Sequence, residues 1–108
     1  MKPQIIIRSE AGDDLRSTFA WYENQEKGLG VEFLRCVDAS MFSISRSPKI
    51  FPSLYKGMRR ALIRRFPYGI FFILEERRIV VLAVLHVKRH PLRWQKKKRV
   101  RIKRARHF

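Results

Sequence analysis

Apolar and polar residues near the start of the chain follow a pattern that predicts a short strand and then a helix. Ile5-Ile6-Ile7 is a β-branched, apolar run, which favours a strand from Gln4 to Arg8. Ser9 then offers a helix N-cap, and acidic residues follow in the first turn, where the helix dipole favours negative charge. An amphipathic helix to about Gln25 is predicted by residues that recur at helical spacing, namely Ala11, Leu15, Thr18, Phe19 and Tyr22.

A second helical pattern follows a glycine-containing turn at residues 26–30. This helix must end before Pro48, because proline disfavours the helical conformation at the residue that precedes it. Its predicted apolar face consists of Phe33, Leu34, Val37, Met41 and Ile44. Two helices joined by so short a connection are expected to lie antiparallel, as an αα-hairpin.

The second half of the chain changes to the pattern of strands. Residues 48–56 are predicted to form a loop, and three strands follow at about 59–66, 69–75 and 78–87. Short connections between these strands require antiparallel neighbours. The predicted fold class is therefore α+β: an N-terminal strand, an αα-hairpin, then a three-stranded antiparallel meander forming one small sheet. The helices can cover one face of this sheet, and we expect the other, apolar face to be open to another macromolecule.

Arginine is concentrated in the first strand of the predicted meander. Four arginines occur within seven residues, at Arg59, Arg60, Arg64 and Arg65. The nearest carboxylates, Glu75 and Glu76, are too few to pair with all of them, although a solvated strand face with such pairs is the alternative. The excess of guanidinium groups favours a binding surface.

Length and composition indicate one soluble domain. With 108 residues there is no room for a second core, and the single cysteine, Cys36, excludes an internal disulfide and favours a reducing cytoplasm. No signal peptide is recognised at the start, and the longest apolar run, Ile79 to Leu85, is far shorter than the roughly 20 residues that span a bilayer. We therefore expect a cytoplasmic protein with no membrane partner.

The net charge of +16 is unevenly distributed along the chain. All nine acidic residues precede Arg77, whereas the segment from His86 to the end has eleven lysines or arginines and no acid. This divides the chain into a folded domain, residues 1–94, and a basic tail, residues 95–108, which could bind nucleic acid with little sequence preference or simply be solvated. The tail residues predicted to contact nucleic acid are Lys96, Lys97, Lys98, Arg99 and Arg101.

A set of short motifs resembles a known family. In chain order they are an acidic helix start, Trp21-Tyr22-Glu23, Gly28-Leu29-Gly30-Val31-Glu32-Phe33-Leu34, Ser47-Pro48, Arg59-Arg60, Arg65-Phe66-Pro67-Tyr68, Val81-Leu82-Ala83-Val84-Leu85-His86, and Lys88-Arg89-His90-Pro91 with Trp94. Together they resemble the ParE branch of the RelE/ParE toxins of bacterial type II toxin–antitoxin (plasmid stabilisation) systems. The resemblance runs from about residue 4 to Trp94. The chain departs from the family pattern at Val87, where glycine is usual, and at His90, where aspartate is usual.

The resemblance implies the same fold as the one derived above. It also implies an acidic antitoxin that wraps and neutralises the toxin. For the activity of the toxin it implies one of two modes of action. ParE-like members poison DNA gyrase and are not known as hydrolases, whereas RelE-like members cleave mRNA on the ribosome with cationic side chains around one phosphate. On the RelE pattern Arg60 and Arg89 fall at basic positions of the nuclease site. Gly69 replaces an expected arginine, however, and Gln95 an expected tyrosine, so the ParE-like function is favoured over an mRNA endonuclease. A third hypothesis is a basic protein that acts on nucleic acid through its tail.

The residues predicted to bind the target or the antitoxin are Arg59, Arg60, Arg64, Arg65, His86, Lys88, Arg89 and Trp94. His86 and His90 have the spacing of a helical metal site, but at the end of a strand they would not share a face. No cofactor or metal is therefore expected. His86 is interpreted as a structural, hydrogen-bonding residue at the end of the sheet.

Overall fold

The computed structural model describes residues 3–88, which form two helices packed on one five-stranded sheet. The helices are α1 (Ser9–Gln25) and α2 (Leu29–Arg46), and a 3-10 helix follows at Pro48–Ile50. The strands are β1 (Gln4–Ile7), β2 (Ser53–Tyr55), β3 (Met58–Leu62), β4 (Tyr68–Glu75) and β5 (Arg78–His86). Neither helix is long and apolar enough to cross a membrane, within the residues described.

The strands lie in the order β1-β5-β4-β3-β2. The three predicted strands of the antiparallel meander are confirmed, because β4 pairs antiparallel with both β3 and β5. β2 pairs antiparallel with β3, so the meander has four strands rather than three. The αα-hairpin connects β1, at one edge of the sheet, to β2 at the opposite edge. β1 pairs parallel with β5, with Ile5 opposite Ile79. The α+β fold class predicted from the sequence is correct.

Three local predictions were wrong. The predicted loop at residues 48–56 contains the 3-10 helix and β2, which is only three residues long and so has no detectable alternation. The first meander strand ends at Leu62 rather than at residue 66, because Arg65 has a φ of 71° and turns the chain back toward β4. Ser9 is the first residue of α1 rather than its cap. Arg8 occupies the cap position, and its side chain makes no capping hydrogen bond to the helix.

The main core lies between the helical hairpin and one face of the sheet. At its centre, Phe33 of α2 is 0% exposed and lies 5.5 Å, centroid to centroid, from Tyr22 of α1. Phe33 also contacts Phe66 and Tyr68, at 5.3 and 5.5 Å. This aromatic cluster joins both helices to the turn that connects β3 and β4.

The second face of the sheet carries a separate apolar cluster, formed among the described residues by strand side chains alone. Its members are buried: Phe71 and Leu82, for example, are each 2% exposed. The register shift between β4 and β5 inserts Leu82 as an extra residue between Val81 and Ala83, and both Leu82 and Ala83 belong to this cluster. The expectation that this face is open is therefore wrong.

Asp14 connects α1 to the sheet. Its side chain is 5% exposed, and its Oδ2 accepts the backbone N–H of Val84 at 3.0 Å, three residues beyond the last β1–β5 pair, at Val81. The carboxylate thus supplies an acceptor at a point of β5 that β1 does not reach. Asp14 lies beyond the first turn of α1, and its carboxylate satisfies a buried donor of the sheet.

We expect Asp14→Ala to lower the free energy of unfolding by about 1–3 kcal/mol, because it leaves the buried Val84 N–H without this acceptor. Asp14→Asn keeps an acceptor oxygen and should lose less. The matched control is Asp13→Ala, which removes an exposed ion pair with Arg16 and should change stability by less than about 1 kcal/mol. Urea denaturation of the three variants checks the ranking, and equal losses for Asp13→Ala and Asp14→Ala would contradict it.

Candidate binding surface

Arg59, the first of the four clustered arginines, is a structural residue. Its guanidinium donates to the carbonyl oxygens of Phe51, at 2.6 Å, and Lys49, at 3.3 Å. These two hydrogen bonds hold the segment that contains the 3-10 helix against β3.

Arg65 is fixed by a partner from α2. Its guanidinium forms a 3.1 Å ion pair with Glu32, whose other carboxylate oxygen lies 3.3 Å from Arg35. The pairing with Glu75 considered from the sequence is absent, since Glu75 pairs with Arg78. Glu32 therefore places Arg35 and Arg65 beside each other at the edge of α2.

Neither of the other two arginines, Arg60 and Arg64, forms an ion pair within the described residues. Arg60 is half-buried, and its side chain lies close to Gly69: a Cβ built on Gly69 would be 3.1 Å from Cγ of Arg60. Arg64 is exposed in the turn after β3. The four arginines therefore have different surroundings.

An open groove of about 550 Å³ lies where α2, the 3-10 segment and the end of β3 meet. Three of the surrounding side chains are arginines, Arg35, Arg64 and Arg65. Two apolar side chains that line it are strongly exposed, Ile50 at 74% and Leu62 at 58%. An apolar surface edged by guanidinium groups thus exists, but beside α2 rather than on the sheet face where the sequence placed it.

The sequence did not single out Arg35, Ile50 or Leu62. Leu62 was assigned to an arginine-rich strand and Ile50 to a loop, and Arg35 lies on the polar side of its helix. The only sequence signal was an isoleucine at residue 50, in a predicted loop. The groove itself depends on tertiary contacts that no local pattern specifies.

His86 is 7% exposed, and its Nδ1 accepts the backbone N–H of Lys88 at 3.1 Å. Its ring also makes an edge contact with Tyr68, at a centroid separation of 5.1 Å. The interpretation of His86 as a structural, hydrogen-bonding residue is confirmed. Lys88 is exposed, whereas Arg89, Trp94 and the basic tail lie outside the described residues.

Glu23 closes the helical hairpin, a role not foreseen from the sequence. Its two carboxylate oxygens each accept a backbone N–H at 2.8 Å, one from Gly28 and one from Gly30. The hydrogen bond from Gly28, above all, lowers the pKa of Glu23 below the ordinary carboxyl value. The ionised form is therefore the one that holds the two helices together.

No group of three or more His, Cys, Asp or Glu residues comes together to hold a metal ion in the described part of the chain. The surface has an open groove, exposed apolar side chains and arginine side chains along its edge. These are features of a macromolecular binding surface.

Comparison with known proteins gives a consistent result. The sequence matches the family described as the ParE toxin of the type II toxin–antitoxin system parDE over residues 5–91. A structure of the chromosomal ParDE toxin–antitoxin system from P. aeruginosa is similar with a TM-score of 0.70 at 15% identity, covering 79% of this chain and 96% of that one. The toxin–antitoxin complex RelBE2 from Mycobacterium tuberculosis gives a TM-score of 0.58 at 20% identity, covering 80% and 99%. A search of curated protein sequences gives no significant match.

Proposed function

Because this chain belongs to the ParE toxin family of type II toxin–antitoxin systems, we propose that an acidic antitoxin neutralises it and that its target in the bacterial cytoplasm is DNA gyrase. The observation that carries the proposal is the family match itself, which extends from β1 to beyond the end of β5. Both similar structures also come from toxin–antitoxin systems.

The charge of the protein supports an acidic partner. A net charge of +16 repels other cationic proteins and speeds the encounter with an anionic surface. Complementary potentials of this kind increase association rates and reject wrong partners.

The surroundings of Arg60 argue against the nuclease alternative. A RelE-like site needs several cations that converge on one phosphate. At Gly69, where that pattern has an arginine, an added Cβ would lie 3.1 and 3.2 Å from the Arg60 side chain and 3.2 Å from Val87. The chain therefore has no cation at this position, and any side chain placed there would require Arg60 or Val87 to shift. Arg89, the other basic position of the pattern, lies outside the described residues.

We expect Arg60→Ala to leave toxicity largely intact when the protein is expressed in a bacterial host. DNA cleavage complexes should accumulate, and mRNA should remain uncut, as judged by separate assays of DNA breaks and of mRNA ends. The proposal also requires a short acidic reading frame directly beside the gene, and co-expression of its product should restore growth.

The control for that experiment is Arg77→Ala, which removes an exposed arginine in the β4–β5 turn. In a ribonuclease, loss of one cation that stabilises the transition state lowers activity by about 10²–10³-fold. Cut mRNA in the wild type, lost in Arg60→Ala but not in Arg77→Ala, would contradict gyrase as the target and support the endonuclease.

A further inference from the structure

The groove beside α2 has walls from three separate parts of the chain. The face of α2 that lines it has small side chains, Cys36, Ala39 and Ser43, so the helix surface is shallow there. Ile50 and Phe51 form the second wall, and Leu62 stands on the third, at the end of β3. A volume of about 550 Å³ is in the range of pockets that receive several large side chains.

Two interactions hold the walls in place. The Arg59 guanidinium binds the carbonyl oxygens of Lys49 and Phe51, which fixes the second wall to β3. The ion pair between Arg65 and Glu32 fixes the turn after β3 to α2. The groove therefore exists before any partner binds, which reduces the conformational entropy lost on binding.

The exposed apolar side chains of the groove favour a protein ligand over nucleic acid. Ile50 is 74% exposed and Leu62 is 58% exposed, and burial of both requires an apolar face on the ligand. A phosphate backbone has no such face. An amphipathic peptide segment has one.

The charges around the groove limit which protein segment can occupy it. Arg35, Arg64 and Arg65 surround it, and Glu32 is the carboxylate paired with two of them. The tail at residues 95–108 contains no acid, and a second copy of the chain also has a charge of +16, so electrostatic repulsion opposes both as occupants. An acidic segment is attracted.

We propose that this groove binds an acidic, amphipathic segment of the antitoxin, with apolar side chains on Ile50 and Leu62 and carboxylates on Arg64 and Arg35. The assignment rests on the proposed function, since it requires that an antitoxin neutralise this toxin. It adds the place and the chemistry of the contact.

The test uses the full chain and, as the probe, the purified product of the short reading frame directly beside the gene, which the proposed function requires to encode an acidic protein. Two substitutions change the groove, Arg64→Glu and Leu62→Glu. Two matched controls lie outside the groove lining: Arg77→Glu reverses another exposed arginine, and Val31→Glu replaces another exposed apolar residue, 45% exposed. Thermal denaturation first establishes that all four variants fold.

We expect each groove variant to raise the Kd for the probe by about tenfold or more, the effect of losing one anchor residue of an interface, and each control to leave it nearly unchanged. Arg64→Glu should also make binding less sensitive to salt, because it removes a charge that attracts the probe. Co-expression of the probe should rescue growth less well from the groove variants than from the controls.

Failure of the proposed function and failure of the groove assignment give different results. If the probe neither binds the wild-type chain nor restores growth, the proposed function is wrong. If it binds the wild type and both groove variants equally, the antitoxin docks elsewhere and the groove assignment alone is wrong. Competition for the wild-type groove by a double-stranded DNA oligonucleotide, absent with Arg64→Glu, would assign the groove to nucleic acid and overturn the proposal.

Discussion

Replacement of Phe33 by alanine is expected to lower the free energy of unfolding by about 3–5 kcal/mol, the usual loss for a fully buried phenylalanine. Phe33 is 0% exposed and its ring lies within 5.5 Å, centroid to centroid, of Tyr22, Phe66 and Tyr68. Truncation removes these contacts and leaves a cavity between α2, α1 and the turn after β3. Because a small domain is stable by only about 5–15 kcal/mol, Phe33→Ala should also reduce toxicity by lowering the folded population.

The matched control is Phe42→Ala, on the same helix. Phe42 is 54% exposed, and its ring lies 5.6 Å from the Arg46 guanidinium. Its loss should lower stability by about 1 kcal/mol or less, since an exposed cation–π contact contributes about 0.5–1 kcal/mol. Urea denaturation of both variants measures the difference. Similar losses for the two would mean that the aromatic cluster is not the centre of the core.

The two helices could be predicted because their information is local. Phe33 and Val37 of α2 repeat at helical spacing, and Pro48 limits where the helix can end. Both residues are buried in the structure as that spacing requires. The short glycine-containing turn likewise indicated an antiparallel hairpin before any contact was known.

The turn after β3 could not be predicted in the same way. Arg64 and Arg65 continue the alternation of the strand, but Arg65 has a positive φ, which a residue other than glycine adopts only where other contacts stabilise it. Those contacts are tertiary: the ion pair with Glu32 of α2 and the burial of Phe66 against Phe33. The strand was therefore predicted too long.

The binding surface was misplaced for a related reason. The sequence correctly indicates that apolar and arginine residues occur together near β3, but it does not indicate which face they share. Arg59 is occupied by carbonyl oxygens, and the sheet face that appeared open is buried. The exposed apolar side chains are instead Leu62 and Ile50, in the groove where α2, the 3-10 segment and the end of β3 meet.

Substitution of Gly30 by alanine is expected to be destabilising by about 1–3 kcal/mol, the usual effect of adding a methyl group where there is no space. A Cβ on Gly30 would lie 2.7 Å from the carbonyl oxygen of Phe19 and 2.8 Å from Oε1 of Glu23, so α2 would have to move away from α1. That movement would also lengthen the 2.8 Å hydrogen bond from the Gly30 N–H to Glu23.

Gly12→Ala is the matched control, since Gly12 lies inside α1 and a Cβ there would contact only the flexible end of the Arg16 side chain, at 3.4 Å. This variant should be more stable than the wild type by about 0.5–1 kcal/mol, because alanine loses less backbone entropy than glycine in a helix. The same substitution thus has opposite effects at two helical glycines, and thermal denaturation of both variants measures them. Stabilisation by Gly30→Ala would mean that the two helices are not in contact where α2 begins, and that Glu23 does not close the hairpin.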